Sequence, residues 1–357
     1  MRNISLLSAE QVLSVQSPEM LFSRSSVEAK QEYRALASRF HPDSSKTEDA
    51  TAVFTHIVQL YKEAQQKLKD GNWEEPYQKI EEEEPGIRKF ARENGCIESI
   101  RYQSLRQFEL GNMYIDEHRV SFEIRNEFSD LFHKARRQMR EFQFSNESMA
   151  AEITRCLPLI EDSFVTKNAG IICIRKTPDQ LLLADVLKHH HNRIEPIEHI
   201  GWIINNLWNI ASYLEWAKLT HNAISAETVF ISPLRHSAML LGGWCYATRI
   251  GERLEALPDR SMKFMPTDIL LQKKADPRAD IELIKALACE LLGHQQTNSL
   301  RTDKSIPRHM SEWLHRAAPD NARAAYREWK YEVLEDCFGS PSFIPMKLES
   351  RDLYKEI

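Results

Sequence analysis

The residues of this chain best suited to polar chemistry at a surface are a histidine and an aspartate on either side of a proline, His41-Pro42-Asp43. An imidazole and a carboxylate can each exchange a proton or form charged contacts with a partner. The proline ends the preceding helix, because its ring cannot continue the turn and the residue before it avoids the helical region. We therefore expect His41 and Asp43 at an exposed tip, away from the core.

Two amphipathic helices are predicted to carry this tip. Apolar residues recur at helical spacing before the proline and form a stripe on one face. This first stripe consists of Ala29, Tyr33, Leu36, Ala37 and Phe40. A second stripe runs from Val53 to Leu68 and ends where Asp70 and Gly71 break the pattern. The two helices are expected to pack antiparallel, with basic residues on a face beside the first stripe.

The segment from Glu28 to Asp43, followed by Phe54 to Tyr61, resembles a J domain, the module by which cochaperones engage DnaK-type heat-shock chaperones. By position, the resemblance implies that the trigger of chaperone ATP hydrolysis is His41, Pro42 and Asp43. It also implies a docking face made of Lys30, Tyr33, Arg34 and Arg39. A J domain itself hydrolyses nothing. Ala35 and Ser44 stand where the family often has basic residues, so we expect docking that is weaker or adapted to a particular partner.

The length, net charge, hydropathy and cysteine spacing of the chain exclude several classes of protein. The chain has 357 residues, enough for two or three domains, and a net charge of −5, which gives no reason to expect nucleic acid or an anionic membrane as the main partner. No apolar run approaches the length of a membrane span, and no secretory signal is recognised at the start. The six cysteines contain no Cys-x-x-Cys, which excludes the zinc ribbon of larger J proteins and favours reduced thiols. We expect a cytoplasmic protein without a metal or other cofactor.

Residues 1–70 are assigned to the J domain, and residues 71–99 are predicted to form an acidic linker. The linker contains Trp73-Glu-Glu-Pro76 and four glutamates from Glu81 to Glu84 before Pro85 and Gly86. One interpretation is autoinhibition, in which these glutamates cover Lys30 and Arg34. A solvated spacer is the interpretation we favour, because runs of like charge usually stay solvated.

Residues 100–340 are predicted to form a second domain in which a small antiparallel sheet precedes a helical half. In the first part, about 100–177, strands are expected at 114–116 and 120–124, helices at 128–142 and 148–157, and a hairpin at 163–175. In the second part, about 178–340, helices are expected at 181–190 and 196–219. Residues 341–357 are predicted to be an irregular tail. The predicted fold class is mainly α, with an α+β second domain.

This order of elements resembles a protein kinase with an N-lobe and a C-lobe. The stretch from His221 to Ile231 matches the spacing of the kinase catalytic loop at His221, Ile224, Glu227 and Val229. Gly242 falls where the metal-binding aspartate would stand. The segment beginning at Asp280 is similar to the buried helix that starts with a structural aspartate in the kinase C-lobe.

The residues that phosphotransfer requires are absent from these positions. Ala223 replaces the carboxylate that accepts the substrate proton, and Thr228 replaces the amide that binds the second metal ion. Gly242 replaces the acid that binds magnesium, and the strand lysine falls near Glu123, which has the opposite charge. The resemblance therefore implies a kinase-like (pseudokinase) domain without catalysis.

The leading hypothesis is a cochaperone that recruits a DnaK-type chaperone and stimulates its ATPase, while the kinase-like domain binds a client or scaffold protein. An alternative is an enzyme acting on a nucleotide or phosphate through an atypical site in the kinase-like cleft. A further alternative is a viral J protein that redirects the host chaperone, since J domains joined to divergent kinase-like regions resemble some large-phage proteins.

Overall fold

The computed structural model describes residues 9–13, 15, 17–23, 26–41, 50–70, 86–92, 95–294, 297, 300, 303–339 and 343–354. The chain divides into two compact units, Met1–Glu82 (unit 1) and Glu83–Ile357 (unit 2). Each unit has its own hydrophobic core.

The described part of unit 1 is helical. Its helices are α1 (Ala9–Leu13), α2 (Pro18–Leu21), α3 (Ser26–Arg39) and α4 (Ala50–Asp70). Helices α3 and α4 run antiparallel, since Tyr33 contacts Tyr61 while His41, just beyond the end of α3, contacts Phe54, further back on α4. The residues buried between the helices include Val12, Leu21, Phe22, Ala29, Leu36, Phe40, Val53, Ile57, Leu60 and Ala64. The two apolar stripes predicted from the sequence thus face one another.

Unit 2 begins with strands where a linker was expected. Strands β1 (Gly86–Ala91) and β2 (Ile97–Tyr102) form an antiparallel pair with Phe90 and Ile100 buried. The prediction of an acidic linker through residue 99 is therefore wrong for its second half, while residues 71–85 lie outside the described residues. Most positions of both strands are exposed or half-buried, and apolar and polar residues do not alternate regularly, so neither shows the pattern that predicts a strand.

The main sheet of unit 2 is antiparallel and has five strands in the order β3-β4-β5-β7-β6. These strands are β3 (Ser104–Phe108), β4 (Gly111–Ile115), β5 (Arg119–Arg125), β6 (Leu159–Val165) and β7 (Ala169–Arg175). Helices α5 (Ser129–Arg140) and α6 (Glu147–Ile153) connect β5 to β6. Helix α5 packs its buried residues, such as Phe132 and Met139, against one face of the sheet. The β1–β2 pair contributes Phe90 and Ile100 to a cluster on the other face, with Tyr114 and Ile171.

The rest of unit 2 is mainly helical. Its buried side chains belong to the same hydrophobic core as those of α5. Its helices are α7 (Leu183–His189), α8 (Glu198–Trp216), α9 (Asp259–Met262), α10 (Thr267–Gln272), α11 (Arg278–Leu291), α12 (Arg308–His315), α13 (Ala322–Glu328), α14 (Glu335–Phe338) and α15 (Ser350–Leu353). A π-helical segment, Trp329–Leu334, joins α13 to α14. Helix α8 is buried along most of its length, and its Trp208 contacts Trp313 at the centre of this part.

Short strands line the inner side of the helical part. They are β8 (Leu181–Leu182), β9 (Leu219–Thr220), β10 (Val229–Ser232), β11 (Ser237–Leu240) and β12 (Thr248–Arg249). Strand β8 pairs with β10 before α7 begins, so the helix predicted at 181–190 starts two residues later than expected. This pairing joins residues about 50 positions apart, which local periodicity does not reveal.

The fold is thus a mixture of helices and small antiparallel sheets. The predicted class is confirmed in this coarse form, although strands contribute more than the description "mainly α" implies. Over the residues that the structure describes, no helix is both long and apolar enough to cross a lipid bilayer.

Candidate functional site

Helix α3 of unit 1 has one charged, exposed side. Lys30 and Arg34 are exposed, whereas Leu36 and Phe40 are buried against α4. Because residues four apart lie on the same face of a helix, the two cations share one surface. Arg39 is also exposed at the end of the helix, with its guanidinium carbon 5.0 Å from the centre of the Phe40 ring. We call Lys30 and Arg34 the basic face of α3; Arg39, five residues after Arg34, projects from a different side of the helix.

Tyr33, the fourth residue predicted on the docking face, has a different position. Its half-buried ring stacks on Tyr61 of α4, with ring centres 4.2 Å apart and planes 12° apart. Tyr33 lies four residues after Ala29, on the edge of the apolar stripe. Its ring therefore packs between the helices and does not extend into solvent. Tyr33 therefore orients α3 against α4 and is not part of the exposed basic face.

His41 lies at the end of this face. Its side chain is exposed, and its ring meets the edge of Phe54 with ring centres 5.4 Å apart. Helix α3 ends at Arg39, two residues before His41, as the following proline predicts. The other two trigger residues, Pro42 and Asp43, lie outside the described residues, as does Ser44. The structure thus places the basic face along α3 and His41 just beyond the end of that helix.

In unit 2 the segment predicted as a catalytic loop is held by a buried carboxylate. Asp280, in the first turn of α11, accepts hydrogen bonds from the backbone N–H groups of His221 and Asn222, each at 2.7 Å. All three residues are buried. Burial raises the pKa of Asp280 to about 6, although the two N–H groups favour its charged form. The carboxylate therefore fixes the backbone of a segment 58 residues away in sequence.

The ring of His221 connects this loop to the segment at Gly242. Its Nε2 donates to the carbonyl oxygen of Gly242 at 2.9 Å, which requires the proton to be on Nε2. Burial lowers the pKa of His221 to about 3, so the ring is neutral at neutral pH. A completely buried imidazole of such low basicity cannot act as a general base toward a substrate. His221 therefore has a structural role.

Ala223, Thr228 and Gly242, the three positions predicted to match kinase catalytic groups, lie close together. The Thr228 hydroxyl donates to the Ala223 carbonyl oxygen at 2.7 Å and accepts from the Ser225 N–H at 3.0 Å, so it is occupied within the loop. Ala223 is buried, and Gly242 has no side chain. Neither a methyl group nor a glycine can accept a proton or bind Mg²⁺. Within the described ranges, no group of three or more His, Cys, Asp or Glu side chains is arranged to hold a metal ion.

Close packing also fills the space beside the loop. Gly243 has φ = +78°, and a Cβ built there would lie 2.6 Å from Cε1 of His221 and 3.1 Å from Cβ of Ala223. A Cβ at Gly242 would lie 3.1 Å from Cα of Thr228. An acidic side chain at Gly243 would therefore collide with the loop that holds His221.

This packing leads to a stability prediction for Gly243→Ala. We expect a loss of about 1–2 kcal/mol from the left-handed backbone and about 1–3 kcal/mol more from overpacking against His221. Gly251→Ala is the matched control, because Gly251 has φ = +85° but a Cβ added there would meet no atom within 4 Å. Denaturant unfolding followed by tryptophan fluorescence should show the larger loss for Gly243→Ala. Equal losses for the two variants would mean that the contact with His221 is unimportant.

Glu123, predicted near the position of the kinase strand lysine, lies on β5 of the main sheet. On β5, Val120 and Ile124 face α5, whereas Glu123 lies on the opposite face of the sheet. There its carboxylate accepts hydrogen bonds from Tyr114 and Asn112, each at 2.7 Å. Because side chains alternate between the faces of a strand, a loose alignment by one residue exchanges the two faces. The structure thus shows Glu123 joined by hydrogen bonds to two residues of the neighbouring strand β4.

Contacts across unit 2 connect the five-stranded sheet to the helical part. Arg106 on β3 forms an ion pair with Asp185 on α7, and Tyr246 donates to Glu109, between β3 and β4, at 3.1 Å. Lys134 of α5 pairs with Glu255 at 3.0 Å. No local sequence signal predicts these contacts, since each pair is separated by more than 75 residues. The contacts hold the two parts of unit 2 together.

Comparison with known proteins adds no family to this description. No family model matches the chain, and no curated protein matches it either. The function must therefore be inferred from the residues and the geometry described above.

Proposed function

We propose that this chain is a J-domain cochaperone that recruits a DnaK-type chaperone and stimulates its ATP hydrolysis. The observation that carries the proposal is the exposed basic face of α3, which leads directly to the exposed His41 and on to Pro42 and Asp43 in sequence. The antiparallel pairing of α3 with α4 supplies a rigid base for this surface. In this proposal the chain contributes no catalytic group of its own, and the partner's ATPase does the chemistry.

Charge and position both support a docking role for the basic face. Lys30 and Arg34 extend from a helix whose opposite side is fully used in packing, so their side chains are not needed for folding. Exposed cations on one face attract an acidic partner surface and orient it before contact. The acidic surface would belong to the chaperone, and His41 would then lie at the edge of the contact. Tyr33 would hold α3 in place through its contact with α4.

Unit 2 is proposed to be a kinase-like domain that has lost phosphotransfer and serves as a binding scaffold for a client or partner protein. In kinases the third strand of the sheet carries the phosphate-binding lysine and the next helix carries its glutamate partner. Here β5 is the third strand of the five-stranded sheet in chain order, and α5 follows it. The catalytic-loop segment is anchored by Asp280, the aspartate that the resemblance identified as structural.

The chemistry of the loop supports the loss of phosphotransfer in this proposal. A kinase needs an acid to accept a proton and further groups to hold Mg²⁺, and Ala223, Thr228 and Gly242 cannot supply them. The Gly243 backbone packs against the same loop, which leaves no room for an added acid. A fold retained without its catalytic groups still offers a surface to which a partner protein can bind.

The double charge reversal Lys30→Glu/Arg34→Glu tests the docking role. We expect the Kd for a DnaK-type chaperone in its ATP-bound state to rise at least about tenfold at low salt, because two attractive contacts become repulsive. The difference should shrink at about 0.5 M salt, where exposed charges are screened. Fluorescence polarisation of the labelled full-length chain measures both.

The control is Lys62→Glu/Lys69→Glu, which changes the net charge equally on exposed positions of α4. We expect this variant to bind within about threefold of the wild-type chain. If the two double variants weakened binding equally, net charge would explain the effect and the assignment of docking to α3 would be wrong.

A further inference from the structure

The C-terminal segment of the chain is folded onto unit 2, although the sequence predicted an irregular tail. Residues 343–349 have no regular structure, and helix α15 follows with a reciprocal capping box between Glu349 and Asp352. Met346, Leu348 and Tyr354 are buried in the core of unit 2. The predicted irregular structure is found at residues 343–349, whereas the prediction is wrong for Ser350–Leu353, which form a helix.

Tyr354 forms the most specific contacts of this segment. Its hydroxyl donates to Oδ2 of Asp185 at 2.9 Å and accepts the backbone N–H of Leu182 at 3.2 Å. The other oxygen of Asp185 accepts from Arg106. A continuous chain of polar contacts thus runs from the C-terminal segment through α7 to strand β3. Tyr354 and Asp185 are both buried, so removing one leaves polar atoms of the other without a partner.

The opposite end of the segment is held less firmly. Phe343 is 66% exposed and stacks on His236, with ring centres 4.1 Å apart. Between Phe343 and Tyr354, the fully packed side chains are those of Met346 and Leu348. Only three side chains of this twelve-residue segment are buried, so burial offsets little of the conformational entropy that the segment loses on ordering. We therefore expect the segment to detach without global unfolding.

We propose that residues 343–354 form a C-terminal latch that holds the five-stranded sheet against the helical part of unit 2 through Tyr354, Asp185 and Arg106. With the latch in place, Asp185 is fixed between Tyr354 and Arg106, and β3 is tied to α7. Detachment removes one of the two partners of Asp185 and exposes its carboxylate to water, which weakens the remaining ion pair. The latch therefore controls how firmly strand β3 is held to α7.

This proposal is independent of the cochaperone function, because it concerns only contacts within unit 2. Its test is amide hydrogen exchange of the full-length Tyr354→Phe variant. We expect exchange to become at least about tenfold faster both in residues 181–189 and in residues 104–108, since the second segment is reached only through Asp185 and Arg106. Exchange in α11 should stay unchanged, because α11 does not depend on the latch.

Tyr331→Phe is the matched control, since Tyr331 is 54% exposed and its loss of a hydroxyl should change exchange nowhere in these segments. Arg106→Gln tests the chain of contacts from its other end, and it should accelerate exchange in residues 343–354. It also keeps the test decisive if Tyr354→Phe does not fold. Faster exchange confined to the site of each substitution, with no effect on the distant segment, would overturn the latch.

Discussion

Replacement of Asp280 by alanine is expected to lower the free energy of unfolding of unit 2 by about 3 kcal/mol or more at neutral pH. The variant leaves the backbone N–H groups of His221 and Asn222 buried without an acceptor. It also leaves a small cavity at the start of α11. Denaturant unfolding followed by tryptophan fluorescence measures the change, because six of the seven tryptophans lie in unit 2.

The pH dependence of this effect has a defined sign. Burial raises the pKa of Asp280 to about 6, above the value near 4 of an unfolded aspartate, so the folded chain retains a proton that the unfolded chain releases between these values. The contribution of Asp280 to stability is therefore greatest below about pH 4 and falls as the pH rises through about 6. The difference between wild type and Asp280→Ala should be larger at about pH 5 than at about pH 7.5.

Two further variants make this prediction specific. Asp280→Asn keeps one carbonyl acceptor and should lose less stability than alanine, although its amide nitrogen faces a backbone donor. Asp320→Ala removes an exposed aspartate and should change stability by less than about 0.5 kcal/mol. If Asp280→Ala were as stable as Asp320→Ala, the buried carboxylate would not hold the loop.

The second large effect is expected for His41→Gln, which should abolish stimulation of the chaperone ATPase. His41 is exposed at the end of the basic face, so glutamine can replace it without disturbing the core of unit 1. Glutamine retains a polar side chain but loses the aromatic ring that meets Phe54 and the imidazole that can bind a proton. Circular dichroism should show unchanged helix content, while the stimulated rate should fall at least about tenfold, by loss of a contact worth about 1.4 kcal/mol or more.

His118→Gln is the control for this substitution. Its side chain is 70% exposed in unit 2, far in sequence from the basic face, and the chemical change is identical. We expect this variant to stimulate the chaperone as the wild-type chain does. Equal loss of stimulation in both variants would show that His41 has no special role.

Local sequence signals predicted much of the fold. Pro42 predicted where α3 ends, and the alternation in Val120 to Ile124 predicted β5. The turn at Lys167 to Gly170 predicted the β6–β7 hairpin. These predictions succeeded because backbone preferences and periodic burial act over only a few residues.

Other features depend on contacts between distant residues and could not be predicted in this way. The ion pair of Arg106 with Asp185 and the burial of Tyr354 have no local signature, since the sequence does not show which polar residues meet. Strand β1 has no clear signal because acidic residues precede it and its own residues are mostly exposed without regular alternation. For Glu123, the face of the sheet on which its side chain lies depends on the exact register, which a loose alignment does not define.

The sequence predicted the candidate site in unit 1 better than the one in unit 2, because only the first depends on local spacing. In unit 1 the basic face follows from helical spacing, which places Lys30 and Arg34 together. In unit 2 the sequence predicted that Asp280 begins a buried helix, but not that its carboxylate binds the backbone of His221. That contact joins two segments whose distance in space depends on the whole fold.

The most direct test of the proposed function is single-turnover hydrolysis of ATP bound to a DnaK-type chaperone from the same organism, with and without the full-length chain. We expect a saturable acceleration of at least about tenfold with the wild-type chain, and none with His41→Gln. Hydrolysis at the same rate with and without the wild-type chain, at concentrations where binding is established, would contradict the cochaperone function.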